Sequence, residues 1–246
     1  MRDTVEILGV KVDKVTEEQA LERAKELLGG EKVSKIYTPN PEIIMAARDD
    51  ADFKEILNDA ELCTADGIGV VYGAKILGTP VPCRVAGFDL TCNILDYMKD
   101  TEDSVFLFGA KPGVAKIAEQ KLIEKYPGLK VAGTNDGYFT KSDIPVIIEK
   151  INNSGAKLLL VCLGMKKQEQ WIAEYKDELK TVKLCMGVGG TLDVFAGEVK
   201  RAPKIFIKLN LEWFYRLMKQ PSRIGRFAAL PKFIFAVLKS KKGMKK

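Results

Sequence analysis

The chain has 246 residues, 46% of them apolar, which is enough for one α/β domain with a sizeable core and a further segment. No apolar run is long enough to span a bilayer, and the absence of histidine excludes Ser-His and Cys-His nucleophile pairs. The net charge of +6 combines an acidic body with a basic end: residues 1–199 carry 25 basic and 32 acidic side chains, and residues 200–246 carry 14 basic side chains and one acidic.

The body alternates strand-like and helix-like segments along the chain. Val5–Val12 has the alternation of a strand, and Thr16 begins the capping box of the first helix. Val33–Thr38 follows as a strand, after which Asn40 and Pro41 supply the cap and the first residue of the next helix. Further strands are predicted at 61–64, 105–108, 129–133, 157–163 and 182–188, and further helices at 67–77, 88–99, 114–126, 143–153 and 168–179.

This alternation predicts an α/β protein with a Rossmann-like, mostly parallel sheet, flanking helices and a basic helical C-terminal appendage. The charge changes sign near Arg201 and Pro203, so we divide the chain into a domain of residues 1–199 and an appendage of residues 200–246. The five cysteines match no zinc spacing, and the N-terminus has no apolar signal segment. We therefore expect reduced core thiols in a cytoplasmic protein.

The C-terminal segment, residues 200–246, combines positive charge with apolar side chains. It holds seven of the 20 aromatic residues, and Phe206, Leu209, Trp213 and Leu217 recur at the spacing of one helix. A second apolar run, Phe233–Leu238, is flanked by lysines and is too short to span a bilayer. Such a run suits the interface of an anionic membrane, so the segment is predicted to bind the inner face of the cell membrane peripherally.

Ligands of parallel α/β sheets bind beyond the carboxyl ends of the strands. The residues that follow the predicted strands in this chain are polar and rich in glycine. They are the stretches 37–42 (YTPNPE), 64–69 (TADGIG), 109–113 (GAKPG), 164–169 (GMKKQE) and 187–193 (GVGGTLD), with Arg84 in the loop 80–84. We therefore expect the functional site at this edge of the sheet.

Asp66 is the acid best suited to proton transfer, because it lies between a buried strand and an apolar helix in a chain without histidine. Its alternative role is that of a helix N-cap. Thr38 and Asn40 suit a sugar or a phosphate, or alternatively a turn and a cap. Gly109 opens a loop before a helix and could bind phosphate through backbone N–H groups, although the loop does not match G-x-G-x-x-G.

No protein-bound metal or other cofactor is expected. The D-x-D pattern occurs only at Asp50 and Asp52, in a charged stretch that is typical of a solvated helix face. Arginines can stabilise a diphosphate leaving group instead of a metal. The candidates are Arg84, Arg216, Arg223 and Arg226, of which the last three can alternatively bind lipid phosphates.

Taken together, the motifs resemble the WecG/TagA/CpsF glycosyltransferase family, and within it the TagA N-acetylmannosaminyltransferases. They occur in the order expected for the family and cover nearly the whole chain. They are the stretches 37–42, 64–69, 108–115 (FGAKPGVA), 164–169 and 187–197 (GVGGTLDVFAG), and in the C-terminal segment R-A-P at 201–203, L-E-W at 211–213 and Arg216 with Leu217.

The resemblance implies a peripheral membrane enzyme with a UDP-sugar donor and a polyprenyl-diphosphate-linked acceptor. In the TagA branch, N-acetylmannosamine passes from UDP-ManNAc to GlcNAc-diphosphoundecaprenol, a step in building the linkage unit of wall teichoic acid. The implied base is Asp66, with Thr38 and Asn40 in the pocket. The implied ligands of the nucleotide sugar are Arg84, Gln168 and Asp193.

Inverting sugar transfer agrees with the residues available. It needs one base for the acceptor hydroxyl and cationic groups around the departing UDP, but neither a covalent nucleophile nor histidine. A basic segment that touches the membrane and brings arginines to the site would couple catalysis to the lipid substrate. This hypothesis predicts that a chain without residues 200–246 folds but has little activity.

Other interpretations are also compatible with the sequence. The donor could be another UDP-hexose or mannosaminuronic acid, and a nonenzymatic nucleotide-binding module recruited to membranes fits the same motifs. Nucleic acid is not an expected partner, because the apolar run Phe233–Leu238 has no role on such a surface and no nucleic-acid motif occurs. The apolar stretch Ile68–Leu77 is either core or a subunit contact, so a homo-oligomer is compatible with the sequence.

Overall fold

The computed structural model describes residues 2–209, 211–219 and 229–243. In this part of the chain a six-stranded sheet is flanked by helices, and a two-stranded hairpin stands beside it. The strands are β1 Thr4–Ile7, β2 Val10–Asp13, β3 Ser34–Tyr37, β4 Leu62–Cys63, β5 Ser104–Gly109, β6 Lys130–Asn135, β7 Leu158–Cys162 and β8 Leu184–Gly187. The α/β prediction is confirmed.

Twelve α-helices occur in the described ranges, with short 3₁₀ turns at Lys141–Asp143 and Lys176–Glu178. The helices of the body are α1 Glu17–Leu28, α2 Pro41–Arg48, α3 Ala51–Asn58, α4 Ile68–Leu77, α5 Gly87–Met98, α6 Val114–Lys125, α7 Ile144–Ser154, α8 Lys167–Tyr175 and α9 Thr191–Phe195. Those of the C-terminal segment are α10 Lys204–Lys208, α11 Glu212–Lys219 and α12 Ala229–Gly243.

The six-stranded sheet has the order β4-β3-β8-β7-β5-β6, and all of its neighbouring strands are parallel. Tyr37 at the end of β3 is opposite both Cys63 of β4 and Gly187 of β8, and Val161 of β7 is also opposite Gly187. Four strands therefore end at nearly the same level. The loops that follow them share one edge of the sheet, as the sequence predicted.

Two hydrophobic clusters cover the two faces of this sheet. Phe106 and Phe108 of β5 belong to one cluster, whereas Val105 and Leu107 belong to the other. All four side chains are fully buried. Burial on both faces explains why the central strands read as continuous apolar runs rather than as alternating ones.

The predicted strand Val5–Val12 is instead the antiparallel hairpin of β1 and β2. Its two-residue turn consists of Leu8 and Gly9, both with positive φ, which is the backbone that tight hairpin turns require. Ile7 pairs with Val10, so the buried side chains change from odd to even positions across the turn. A single strand would keep its apolar side chains at odd or at even positions throughout, so this shift indicates a turn.

Helix α12 of the C-terminal segment packs on the body, chiefly against α4 and α2. Its Phe233 and Val237 are fully buried in the same cluster as Phe106. A Cβ added to Gly73 of α4 would lie 2.9 Å from the ring of Phe233, and one added to Gly69 would lie 2.5 Å from Leu230. Two glycines one helical turn apart therefore let α12 approach α4 closely, and this face of α4 is core.

This packing revises the predictions for the C-terminal segment. The single helix expected from Phe206 to Leu217 is two helices, α10 and α11. In the apolar run Phe233–Leu238, Phe233 and Val237 are core, whereas Phe235 and Leu238 are exposed. A body without residues 200–246 would lose Phe233 from its core, so such a body should be less stable than the full chain. The division at residue 199 stays a prediction.

Local signals account well for the helix starts in the body. Thr16 and Gln19 form the predicted capping box of α1, and Asn40 caps α2 with Pro41 at its first position. The five cysteines are free thiols, of which Cys63, Cys162 and Cys185 are in the core and Cys83 and Cys92 are only partly buried. Burial raises the pKa of Cys162 to about 12. Within the described ranges, no helix combines the length and apolarity needed to cross a membrane.

Candidate active site

A cleft of about 440 Å³ opens at the edge of the sheet where β3, β4, β7 and β8 end. The loops after these four strands line it, together with part of the C-terminal segment. The predicted site residues found in its lining are Thr38, Asn40, Asp66, Arg84, Gln168 and Asp193. The fold therefore brings together six residues that are far apart in the sequence.

Asp66 lies between β4 and α4 with its carboxylate in the cleft. The backbone N–H of Gly87, the first residue of α5, donates to Oδ2 of Asp66 at 3.3 Å, and Nε of Arg84 lies 3.8 Å from Oδ1. Both groups stabilise a negative charge on the carboxylate. The N-cap of α4 is Gly67 and has no side-chain cap, so Asp66 is not the helix cap that the alternative interpretation proposed.

Thr38 follows β3 and is largely buried at the floor of the cleft. A Cβ added to Gly87 would lie 2.5 Å from its Oγ1, so only glycine at position 87 lets α5 begin this close to Thr38. Asn40 fills both of its suggested roles: it lines the cleft, and its Oδ1 accepts the N–H of Ile43 at 3.0 Å as the cap of α2. Its amide nitrogen remains a donor for a ligand.

Gln168 ties the loop after β7 to the loop after β8. Its Oε1 accepts the N–H of Gly189 at 2.9 Å, and its Nε2 donates to Oε1 of Glu169 at 2.8 Å. The other carboxylate oxygen of Glu169 accepts the N–H of Lys166 at 2.7 Å. Burial raises the pKa of Glu169, and the hydrogen bond from Gln168 acts in the opposite direction. The structure thus gives Gln168 a definite orientation in the cleft wall.

Arg84 is fixed through its neighbour Val85, whose N–H donates to Ala65 O at 3.0 Å and whose carbonyl accepts the hydroxyl of Thr64 at 3.1 Å. These bonds hold the loop 80–84 beside the end of β4. The Nη2 of Arg84 lies 3.1 Å from Oε2 of Glu212. Its Nε is buried and has no hydrogen-bond partner within the described ranges.

The remaining predicted residues have different outcomes. Asp193 lies in the first turn of α9 and borders the cleft. Gly109 is not among the residues that line the cleft; a Cβ there would lie 2.3 Å from Cys162 O, so backbone packing explains this glycine. Arg216 belongs to α11, but its side chain is outside the described part. Arg223 and Arg226 lie outside the described residues, and their roles stay predictions.

Sequence reasoning missed the side chains that the C-terminal segment contributes to the cleft. Glu212, Trp213 and Tyr215 of α11 line it, together with Leu230 of α12. Glu212 had a usable signal, since it is the one acid in a segment with fourteen basic residues. Gly87 had none, because the need for glycine there arises from Thr38, which is 49 positions away in the sequence.

The D-x-D pattern has a structural explanation. Asp50 caps α3 by accepting the N–H of Phe53 at 3.0 Å, and it pairs with Nζ of Lys166 at 2.6 Å. Across residues 2–209, 211–219 and 229–243, no group of three or more His, Cys, Asp or Glu side chains is arranged to hold a metal ion. The expectation of a metal-independent site stays a prediction.

Comparisons with known proteins agree with the motifs that line the cleft. The glycosyl transferase WecG/TagA/CpsF family model matches residues 5–246. A Bacillus subtilis (strain 168) protein named N-acetylglucosaminyldiphosphoundecaprenol N-acetyl-beta-D-mannosaminyltransferase is 38% identical over 210 residues, which are 85% of this chain and 81% of that protein. A Staphylococcus aureus (strain MRSA252) protein of the same name is 36% identical over 244 residues, 98% of this chain and 95% of that protein.

The match extends from β1 to the end of the C-terminal segment, and so it includes every residue found in the cleft. The chain belongs to the WecG/TagA/CpsF family of glycosyl transferases.

Proposed function

We propose that the protein is an inverting glycosyltransferase that moves N-acetylmannosamine from UDP-N-acetylmannosamine to GlcNAc-diphosphoundecaprenol. The observation that carries the proposal is the pairing of a carboxylate with a guanidinium, Asp66 with Arg84, at 3.8 Å inside the cleft. The names of the two relatives support the choice of sugar and acceptor.

In this proposal, Asp66 removes the proton from the acceptor hydroxyl as that oxygen attacks the anomeric carbon of the donor. The carbon–oxygen bond to UDP breaks, and UDP leaves with the bonding electrons. A carboxylate is suited to this step because its negative charge is held by the N–H of Gly87 and by Arg84, while its side chain remains 30% exposed. Thr38 lies beside Gly87, next to Asp66 in the cleft, and its hydroxyl is suited to hydrogen-bond a substrate.

Arg84 is the proposed ligand of the donor diphosphate. Arg84 lines the cleft, and a guanidinium matches the geometry of phosphate oxygens. Asn40, Gln168 and Asp193 line the same cleft and would bind other parts of the nucleotide sugar. In this account cationic side chains stabilise the departing UDP without a metal, so a chelator should leave the rate unchanged.

The C-terminal segment is the proposed membrane-binding surface, acting at the cytoplasmic face. Within the described ranges, six of the thirteen large apolar side chains that are strongly exposed belong to this segment: Ile205, Leu209, Phe214, Met218, Phe235 and Leu238. Lys232 and Lys239 are exposed on α12 near two of them. Exposed apolar side chains beside lysines favour an anionic bilayer surface.

Product analysis tests the proposed reaction. Purified protein is incubated with UDP-N-acetylmannosamine and a GlcNAc-diphospholipid, and the lipid is examined by mass spectrometry. We expect a gain of one N-acetylhexosamine that requires both substrates. The protein could instead transfer sugar from another UDP-hexose or from a mannosaminuronic acid donor, but not from UDP-N-acetylmannosamine. In that case the proposed donor would be wrong, and the proposed reaction class would stand.

A nonenzymatic nucleotide-binding module is the alternative from another functional class. It predicts that UDP binds while no donor and acceptor pair gives product. The enzyme proposal predicts instead that Asp66→Asn abolishes transfer and leaves UDP binding largely intact. A wild-type protein that binds UDP but never transfers sugar to a lipid would favour the module.

A further inference from the structure

The guanidinium of Arg84 lies between two carboxylates. Nη2 is 3.1 Å from Oε2 of Glu212, and Nε is 3.8 Å from Oδ1 of Asp66. The side chains of Arg84 and Glu212 are only 15% and 11% exposed, so the ion pair between them is shielded from bulk solvent. Because the guanidinium is planar and rigid, the carboxylate bound at one nitrogen determines the direction in which the others point.

The two carboxylates come from different parts of the fold. Asp66 belongs to the sheet edge, whereas Glu212 is the first residue of α11 in the C-terminal segment. An acid at the start of a helix is favoured by the helix dipole. In that segment it is also the one acidic side chain, since the other fourteen charged residues of 200–246 are basic. Without Glu212, Arg84 would face a segment of its own charge.

The backbone around Arg84 is held, but its long side chain needs a separate anchor. Hydrogen bonds at Val85 fix the loop to the end of β4. They leave four side-chain torsions of Arg84 undetermined. The ion pair with Glu212 supplies the missing constraint, and it leaves Nε 3.8 Å from Oδ1 of Asp66 without a hydrogen bond.

We propose that Glu212 is a positioning residue that holds the guanidinium of Arg84 away from a full ion pair with Asp66. Because Glu212 belongs to α11, Arg84 is correctly placed in the site only when α11 is packed against the body. The inference rests on the proposed function for the roles of Asp66 and Arg84. When Glu212 is lost, the guanidinium can turn to Asp66, where it occupies the carboxylate that must accept a proton. It is then also misplaced for the donor diphosphate.

The expected consequence is a loss in both kinetic constants. Glu212→Gln in the full-length protein should lower kcat/KM by roughly 10- to 100-fold, as expected for removing a hydrogen bond to a charged group. The loss should include a higher KM for the UDP-sugar, because Arg84 is the proposed diphosphate ligand. Affinity for UDP alone, measured by calorimetry without acceptor, should fall in parallel.

A double-mutant cycle with Arg84→Lys separates positioning from a general loosening of the segment. Lysine keeps the positive charge but lacks the planar, rigid array of nitrogens, so an ion pair with Glu212 does not fix the direction of its other donors. Glu212→Gln should therefore change kcat/KM and UDP affinity by less than about twofold in the Arg84→Lys background. An equal loss in both backgrounds would overturn the proposal, because Glu212 would then act independently of Arg84.

Asp89→Asn is the matched control. Arg201 donates to both carboxylate oxygens of Asp89 at 2.6 and 2.7 Å, so this pair also fastens the C-terminal segment to the body, without contacting Arg84. We expect its effect to be additive with that of Arg84→Lys. If Asp89→Asn showed the same coupling to Arg84→Lys, the coupling would report segment docking, and the positioning role would be wrong.

Two further outcomes keep this inference distinct from the proposed reaction. If the wild type transfers no sugar but UDP affinity shows the Glu212–Arg84 coupling, the reaction is wrong and the positioning role stands. If Glu212→Gln abolishes transfer as completely as Asp66→Asn while UDP affinity is unchanged, Glu212 acts on the reacting atoms and the positioning role is overturned.

Discussion

The acidic body and the basic C-terminal segment differ sharply in composition, yet both contribute side chains to one hydrophobic core. Phe53 in the body and Phe233 in the segment are both fully buried, and both belong to the same hydrophobic cluster. The ion pairs Arg84–Glu212 and Asp89–Arg201 also join the two regions. The change in charge near residue 200 therefore indicates a different surface composition. It does not indicate that the hydrophobic core ends there.

Truncating the two buried phenylalanines tests whether the C-terminal segment contributes to the core as strongly as the body does. Phe233→Ala should lower the free energy of unfolding by about 3–5 kcal/mol, as much as Phe53→Ala, because each leaves a cavity in the same cluster. Phe235 is on the same helix but 71% exposed, so Phe235→Ala should change stability little. Urea unfolding measures all three. A small effect of Phe233→Ala beside a large one for Phe53→Ala would make α12 a loosely attached appendage.

Close packing between α4 and α12 gives the next largest expected effect. Gly73→Ala should destabilise the protein by about 1–3 kcal/mol, because the added methyl group would lie 2.9 Å from the ring of Phe233. Gly29→Ala is the control, since a Cβ there meets no atom closer than 3.7 Å. Thermal unfolding compares the two. Equal melting temperatures for both variants would contradict the packing of α12 on α4.

Lysines on the exposed face of α12 test whether the C-terminal segment, rather than the body, presents the membrane-binding surface. Replacing Lys232 and Lys239 by alanine should weaken binding to anionic vesicles by roughly fivefold per lysine, with little change in stability. Lys141 and Lys180 are exposed on the body, and their double replacement removes the same charge. Vesicle sedimentation at fixed salt should show no loss for this control pair. Equal losses for the two pairs would mean that net charge, rather than the C-terminal segment, directs membrane binding.

The smallest effect is expected at a helix start in the body. Thr16→Ala removes the side chain that accepts the N–H of Gln19 at 3.2 Å and should cost about 1 kcal/mol of stability. Thr16→Ser keeps the hydroxyl and should recover most of that loss. If serine and alanine gave the same urea midpoint, the capping box would contribute nothing to the stability of α1.

Local sequence signals predicted the parts of the fold that depend on neighbouring residues. The cap of α2 by Asn40 and the loops that end β3, β4, β7 and β8 follow from turn chemistry and from the parallel arrangement of the strands. Asp66 could be expected in the cleft for that reason, whereas Arg84 lies in a loop between α4 and α5. Their pairing at 3.8 Å could not be expected, since it depends on how the loop 80–84 returns to β4.

Contacts between residues that are far apart in the sequence could not be predicted, because no local sequence pattern indicates them. Gly73 and Phe233 touch across 160 positions of sequence, and the charge around Phe233 suggested a membrane surface rather than core. The pairing of Arg84 with Glu212 spans 128 positions. The hairpin of β1 and β2 was missed for a local reason instead, because the alternation shifts by one residue at Leu8 and Gly9.

The most direct test of this account is UDP release from UDP-N-acetylmannosamine, with and without a GlcNAc-diphospholipid, for the wild type and for Asp66→Asn. We expect release that depends on the acceptor and falls by about 10²- to 10⁴-fold in the variant, as for loss of a general base. UDP affinity should change little, because Asp66 is not the proposed diphosphate ligand. Acceptor-dependent release that is unchanged in Asp66→Asn would contradict the assignment of Asp66 as the base.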